Sequence, residues 1–170
     1  DGMTELTIEA LVYLRAYSTN EAGIVQKWAG NGGGAGNSYI MGVNSDGFLT
    51  FTVSDGTVSA GISKARSTKV VPLNQWVSVK ATWKKPGDMH LFINGAEDIA
   101  LPSSVAGYNT QQIQNTGQEV RIGGAVPSGQ WFNGIIDEVR ISKIARATSA
   151  KLAFVSRRVR PQDYVLFTMN

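Results

Sequence analysis

Period-two alternation, repeated along most of the chain, is the feature that most limits what this sequence can fold into. In residues 6–14, Leu6, Ile8, Ala10, Val12 and Leu14 fall on one side of an extended segment. Residues 75–83 repeat the pattern, with Val77, Val79, Ala81 and Trp83 on one side. Further strands are expected at 24–28, 38–43, 48–53, 89–93, 119–122 and 135–142, with a weaker, Ser/Lys-rich edge strand inside 57–71. Turn chemistry separates them. Asn44-Ser45-Asp46-Gly47 and Asn94-Gly95 supply the positive φ that tight hairpins need, and Asp55-Gly56 and residues 84–88 mark further turns. Helix signals are confined to one short amphipathic stretch within 148–155, where Thr148 is a capping residue. Many short strands with regular turns predict an all-β, antiparallel two-sheet sandwich or barrel.

The 170 residues suit one domain over 1–170, and 42% hydrophobic against 17% charged residues predicts a packed core. No apolar run has the ~18 residues of a membrane helix, so no membrane insertion is expected. The absence of cysteine excludes disulfides, thiol catalysis and thiolate zinc sites, and the single histidine, His90, excludes a His-rich metal site. The start at Asp1 reads as a piece of a longer or processed protein. Net charge is +3, yet residues 140–160 alone hold Arg140, Lys143, Arg146, Lys151, Arg157, Arg158 and Arg160 with no acid. That stretch lacks interleaved aromatics and any nucleic-acid motif, so it reads as a solvated connector and no nucleic-acid partner is expected.

Five segments in order give the chain a family likeness. They are 6–12, the turn 44–47 with its hairpin, 74–83, 91–95, and Phe132-Asn133-Gly134-Ile135-Ile136-Asp137-Glu138-Val139-Arg140-Ile141-Ser142. Over roughly residues 4–155 the chain resembles the laminin-G-like, concanavalin A-like jelly rolls of bacterial surface and secreted proteins. The resemblance implies a jelly-roll sandwich and an extracellular or cell-surface location. One departure stands out: that family carries a strand before the 6–12 segment, and almost nothing precedes Leu6 here. Residues 163–168, which begin Asp163-Tyr164-Val165-Leu166-Phe167, are the expected replacement, closing the sheet beside the first strand; the alternative is that they lead into a next domain.

Asp137 shares parity with Ile135, Val139 and Ile141, which predicts a carboxylate on the core-facing side, costly unless it is bonded or bound to a cation. The resemblance implies a structural calcium there, with loop carbonyls or Asp1 as further ligands. The alternative is an Asp accepting backbone N–H bonds at a sheet corner. Asp137 and Glu138 are neighbours on a strand and point to opposite faces, so they do not form the facing pair that glycoside hydrolysis uses. The glycine-rich loop 30–36 leads into a strand and lacks the helix N-terminus of a phosphate cradle. Trp76 and Trp83 are expected in or near the core. Trp28, Tyr39, Tyr108 and Trp131, beside loops, are the candidates for stacking on a sugar ring.

These features predict a non-catalytic recognition module for a glycan or another surface polymer. The rivals are a structural or adhesion domain contacting proteins, with calcium for stability, and a degenerate glycosidase-like domain.

Overall fold

The alternating segments pair into two antiparallel sheets of five strands each in the computed structural model, which describes residues 2–30, 36–57, 61–98, 110–124 and 131–146. The strands are β1 (Glu5–Leu14), β2 (Ala22–Lys27), β3 (Tyr39–Val43), β4 (Phe48–Ser54), β5 (Ile62–Val70), β6 (Trp76–Lys84), β7 (Asp88–Ile93), β8 (Ala96–Glu97), β9 (Arg121–Ile122) and β10 (Gly134–Ser142). The first sheet runs β10-β1-β6-β7-β8 and the second β5-β4-β3-β2-β9. This is the expected jelly-roll sandwich. No helix occurs among the described residues, so none of them forms a helix long and apolar enough to cross a membrane. The short helix expected over 148–155 lies outside the described residues.

Alternation becomes burial. On β1, Leu6, Ile8, Ala10, Val12 and Leu14 all face the second sheet and are buried, as are Val77, Val79, Ala81 and Trp83 on β6. From the opposite sheet they meet Ile24, Met41, Leu49, Phe51 and Val53. Each such side chain contributes roughly 1.5–3 kcal/mol by leaving water, which makes this slab the main source of stability. Trp83 is the largest wholly buried side chain.

The turns follow their residue types. Asn44 caps its hairpin by accepting the Phe48 N–H at 2.8 Å through Oδ1, while Gly47 takes φ +88°. Asn94 and Gly95 both sit at positive φ between β7 and β8. The weak 57–71 stretch contains β5, an edge strand as its sequence predicted. Residues 163–168 lie outside the described residues, and β1 is flanked on both sides, by β10 and by β6.

Two readings of side-chain direction are corrected. Glu138 adopts φ +49° and the β1–β10 register shifts between Glu9 and Leu11. Two residues of β10, Glu138 and Val139, thus oppose Ala10 alone, and this bulge reverses parity midway. Ile136 and Val139 pack on the core, whereas Ile135 and Asp137 share the outer face with Tyr13 and Leu11. Asp137 is therefore exposed and carries no burial cost. Trp76, expected in or near the core, is 46% exposed on the same outer face, edge-to-face with Tyr13 at 5.7 Å.

Candidate functional site

Antiparallel pairing decides which loops meet. β1 starts, β2 ends, β3 starts, β4 ends and β5 starts at one end of the sandwich. Residues 110–114 cross that end and stitch it together. Ile113 is a wholly buried plug; its N–H donates to Met3 O at 2.8 Å and its carbonyl accepts from Gly2 N at 3.0 Å. Gln114 N–H donates to Ser54 O at 2.8 Å, and Ser38 Oγ donates to Gln114 O at 3.0 Å. Thr110 Oγ1 donates to Gly61 O at 3.1 Å. One segment thus ties the start of β1 to the β3, β4 and β5 ends of the other sheet.

The stitch leaves an open cleft of about 390 Å³, lined by Gly2, Asp55, Thr57, Gln111, Gln112, Ile113, Gln114 and Asn115. Its walls are mostly amides with one carboxylate. Asp55 is set by its own turn: Oδ1 accepts from Thr57 N at 2.9 Å and Thr57 Oγ1 at 2.7 Å, and Oδ2 stands outside these bonds. Gln112 spends its Nε2 on Gly2 O at 2.8 Å, and Gln114 Oε1 accepts from Gly36 N at 3.2 Å. Gln111, Gln112 and Asn115 are exposed. Carboxylate and amide oxygens accept while amide N–H₂ groups donate, so such a lining can bond both the donor and acceptor faces of a hydroxyl.

The outer faces of the sheets are differently committed. On the second sheet, Gln26 Nε2 donates to Gly124 O at 2.8 Å. Glu21 lies over Gly42, accepts from the Thr50 hydroxyl and pairs with Lys64 at 3.8 Å. Those polar groups largely bond one another. On the first sheet, residues 144–146 form a strap. Thr7 Oγ1 donates to Ile144 O at 2.6 Å and accepts from Arg146 N at 2.9 Å, and Ala145 N donates to Glu5 Oε2 at 2.9 Å. The Ala145 N–H, followed by the Lys84 ammonium, holds the Glu5 carboxyl below its ordinary range. Lys80 sits over the Phe92 ring at 3.9 Å and donates to Arg146 O at 3.1 Å; burial pulls its pKa down against the charges of Glu9 and Glu97. Beyond the strap, Ile135, Tyr13 and Trp76 form one row across β10, β1 and β6.

The four aromatic candidates do not converge. Trp28, half-buried, follows β2 at the cleft end. Tyr39, beside it, points inward: it is 3% exposed within the core, and burial pushes its phenol up, so its ring is not presented to a ligand. Trp131, 63% exposed, lies at the opposite end, next to Phe132, whose N–H donates to Gly123 O at 3.3 Å. Tyr108 lies outside the described residues. The cleft residues were not singled out by the sequence. The one available signal was Ile113, a lone apolar anchor inside the polar run Gln111-Gln112-Ile113-Gln114-Asn115.

Calcium takes six to eight oxygens. Among the described residues no group of three or more His, Cys, Asp or Glu side chains converges. Asp137 faces solvent with Oδ1 accepting the Glu138 N–H at 2.8 Å, which is the backbone-bonded alternative. Asp1 lies outside the described residues.

A two-sheet antiparallel jelly roll is the fold of a lectin-like class of protein. The chain belongs to the concanavalin A-like lectin/glucanases superfamily, whose laminin-G-type family model matches residues 2–150. No curated protein matches the sequence. Among solved structures it is similar to a candidate carbohydrate binding protein from Bacteroides ovatus, at 22% identity and TM-score 0.62. The match covers 88% of this chain and 40% of that one, so this chain spans well under half of that protein. The CBM40 domain of the Ruminococcus gnavus IT-sialidase, bound to α2,3 sialyllactose, is 15% identical with TM-score 0.64, covering 85% of this chain and 78% of that one. Domain 4 of a Geobacillus stearothermophilus extracellular arabinanase, in complex with arabinotriose, is 18% identical with TM-score 0.57, covering 85% and 63%. At these identities the likeness is one of fold.

Proposed function

We propose that this domain is a non-catalytic glycan-recognition module of a secreted or cell-surface protein, binding its ligand in the loop-end cleft. The observation that carries the reading is the lining: amides, a threonine and one turn-fixed carboxylate in an open cleft of about 390 Å³. Sugars offer many hydroxyls that both donate and accept, and a rigid sandwich holding polar loop groups is suited to them. The carbohydrate ligands of the structurally similar modules support the same reading. Hydrolysis of a glycosidic bond ordinarily uses two facing carboxylates, and Asp55 is the one carboxylate among the described lining residues.

A glycan array followed by calorimetry on the whole chain tests this. The expected result is saturable binding that Asn115→Ala weakens about tenfold or more with an unchanged melting temperature, since that side chain is exposed. Release of reducing sugar from the bound glycan would overturn the non-catalytic part.

A second reading, protein contact, is favoured by the exposed Ile135–Tyr13–Trp76 row on the first sheet. Sedimentation and pull-down with Trp76→Ser test it. Loss of a self- or partner contact supports it, and glycan binding that is abolished by Trp76→Ser would move the sugar site to that face.

A further inference from the structure

The charge of the cleft carries the reading one step further. Asp55 is the only charged side chain among the described lining residues. The sequence extends this beyond the lining itself. Residues 1–14, 28–63 and 91–120, which include every lining residue and the loops next to them, contain no Lys, Arg or His. All sixteen Lys and Arg residues fall in the intervening stretches or after residue 120. Lys27 ends β2 at the same end, and Lys84 and Lys85 belong to the β6–β7 turn there; all three stand outside the lining, and Lys84 is paired with Glu5 at 3.2 Å. Of the basic stretch, the described residues 144–146 follow β10 across the outer face of the first sheet at Thr7 and Lys80.

Recognition of a sugar carboxylate or sulfate uses an Arg or Lys partner, because a buried or half-buried anion needs a countercharge. The described lining offers the opposite, a carboxylate at Asp55 that repels a second anion. Neutral hydroxyls, by contrast, are matched by Asp55 Oδ2 as acceptor and by the Asn115 amide as donor and acceptor.

We infer that the cleft selects neutral glycans and rejects acidic ones such as sialylated or uronic acid chains. This rests on the proposed glycan-binding reading and names the ligand class of the same site. The selectivity comes from Asp55 acting by repulsion, so specificity here is partly negative.

The test uses the whole chain and two sets of probes. The neutral set is arabino-, gluco- and galacto-oligosaccharides; the acidic set is sialyllactose and oligogalacturonate. Binding is measured by calorimetry at low and at physiological salt. The expected outcome is at least tenfold tighter binding of a neutral probe, with the gap narrowing as salt screens the repulsion. Asp55→Asn keeps an oxygen for the Thr57 bonds and removes the charge, and it is expected to shrink the neutral-to-acidic ratio several-fold while the melting temperature holds.

An acidic probe that binds more tightly than every neutral one would overturn the inference and leave the glycan reading standing. A ratio unmoved by Asp55→Asn would equally overturn it. Absence of binding to any probe, or binding unaffected by Asn115→Ala, would overturn the cleft reading itself and the inference with it.

Discussion

Single residues in this fold are fixed by what their neighbours leave room for. Gly47 holds φ +88°, and a Cβ there would stand 2.5 Å from Cζ of Tyr17, whose hydroxyl donates to Val71 O at 2.9 Å. Gly47→Ala must therefore both strain the backbone and displace the ring. A loss of about 1–3 kcal/mol is expected from the backbone alone, read as a lowered midpoint in urea unfolding. Asp137 is the contrasting case. Because it is exposed on the outer side of the bulge, Asp137→Ala is expected to change stability by no more than about 0.5 kcal/mol. A loss of several kcal/mol would restore the buried-charge picture. That picture failed for a physical reason: a bulge at a non-glycine residue arises from pairing against Ala10, and nothing local in the run 135–141 announces it.

At the scale of elements, the two sheets are joined at their edges by polar side chains as well as by the core. Asp98, just after β8, accepts from the Thr68 hydroxyl and from the N–H of Lys69 at 2.9 Å, fastening the β7–β8 side of one sheet to β5 of the other. Burial pushes the Asp98 carboxyl up, but the bonds from Thr68 and Lys69 and the Lys69 charge together outweigh it and hold its pKa below 3.8. A carboxylate whose folded pKa lies below its unfolded value contributes stability above the unfolded pKa, lost as pH falls through the folded one. Acid titration of unfolding free energy is expected to show that loss below about pH 4. Asp98→Asn should flatten the acid limb, and Asp98→Ala should cost about 1.5–3 kcal/mol at pH 7. Thr7 offers a second element-level test. Its hydroxyl is bonded at both lone pair and proton by the strap, so Thr7→Val is expected to speed amide exchange at Ala145 and Arg146 while the β1–β6 amides stay protected.

For the whole molecule, much of the architecture was legible from the chain alone. Alternation placed the inward residues of β1 and β6, and Asn44, Gly47, Asn94 and Gly95 marked hairpins that the structure contains. Even the outward aim of Trp76 was implicit, since it has the opposite parity to Val77 and Trp83. The cleft was not legible. Its parts are Gly2, Asp55 with Thr57, and residues 111–115; Gly2 is joined to Ile113 by a hydrogen bond spanning 111 residues, and amides in a polar loop have no periodicity to betray them. Aromaticity was a poor guide for the same reason: Tyr39 follows strand parity into the core, and Trp28 and Trp131 stand at opposite ends. Proximity of loops is a property of the closed sandwich.

The stitch through Ile113 also has a mechanical side. A tensile load entering the chain at Gly2 meets first the two bonds that join Gly2 and Met3 to Ile113. Behind them β1 is held in shear by nine cross-strand pairs with β6 and by β10 on its other flank. These two bonds, with the one from Gln112 Nε2 to Gly2 O, are fewer than the bonds of such a clamp and yield to pulling first. The loop-end cleft would then gape under a force that leaves both sheets whole, making its shape responsive to traction on the chain.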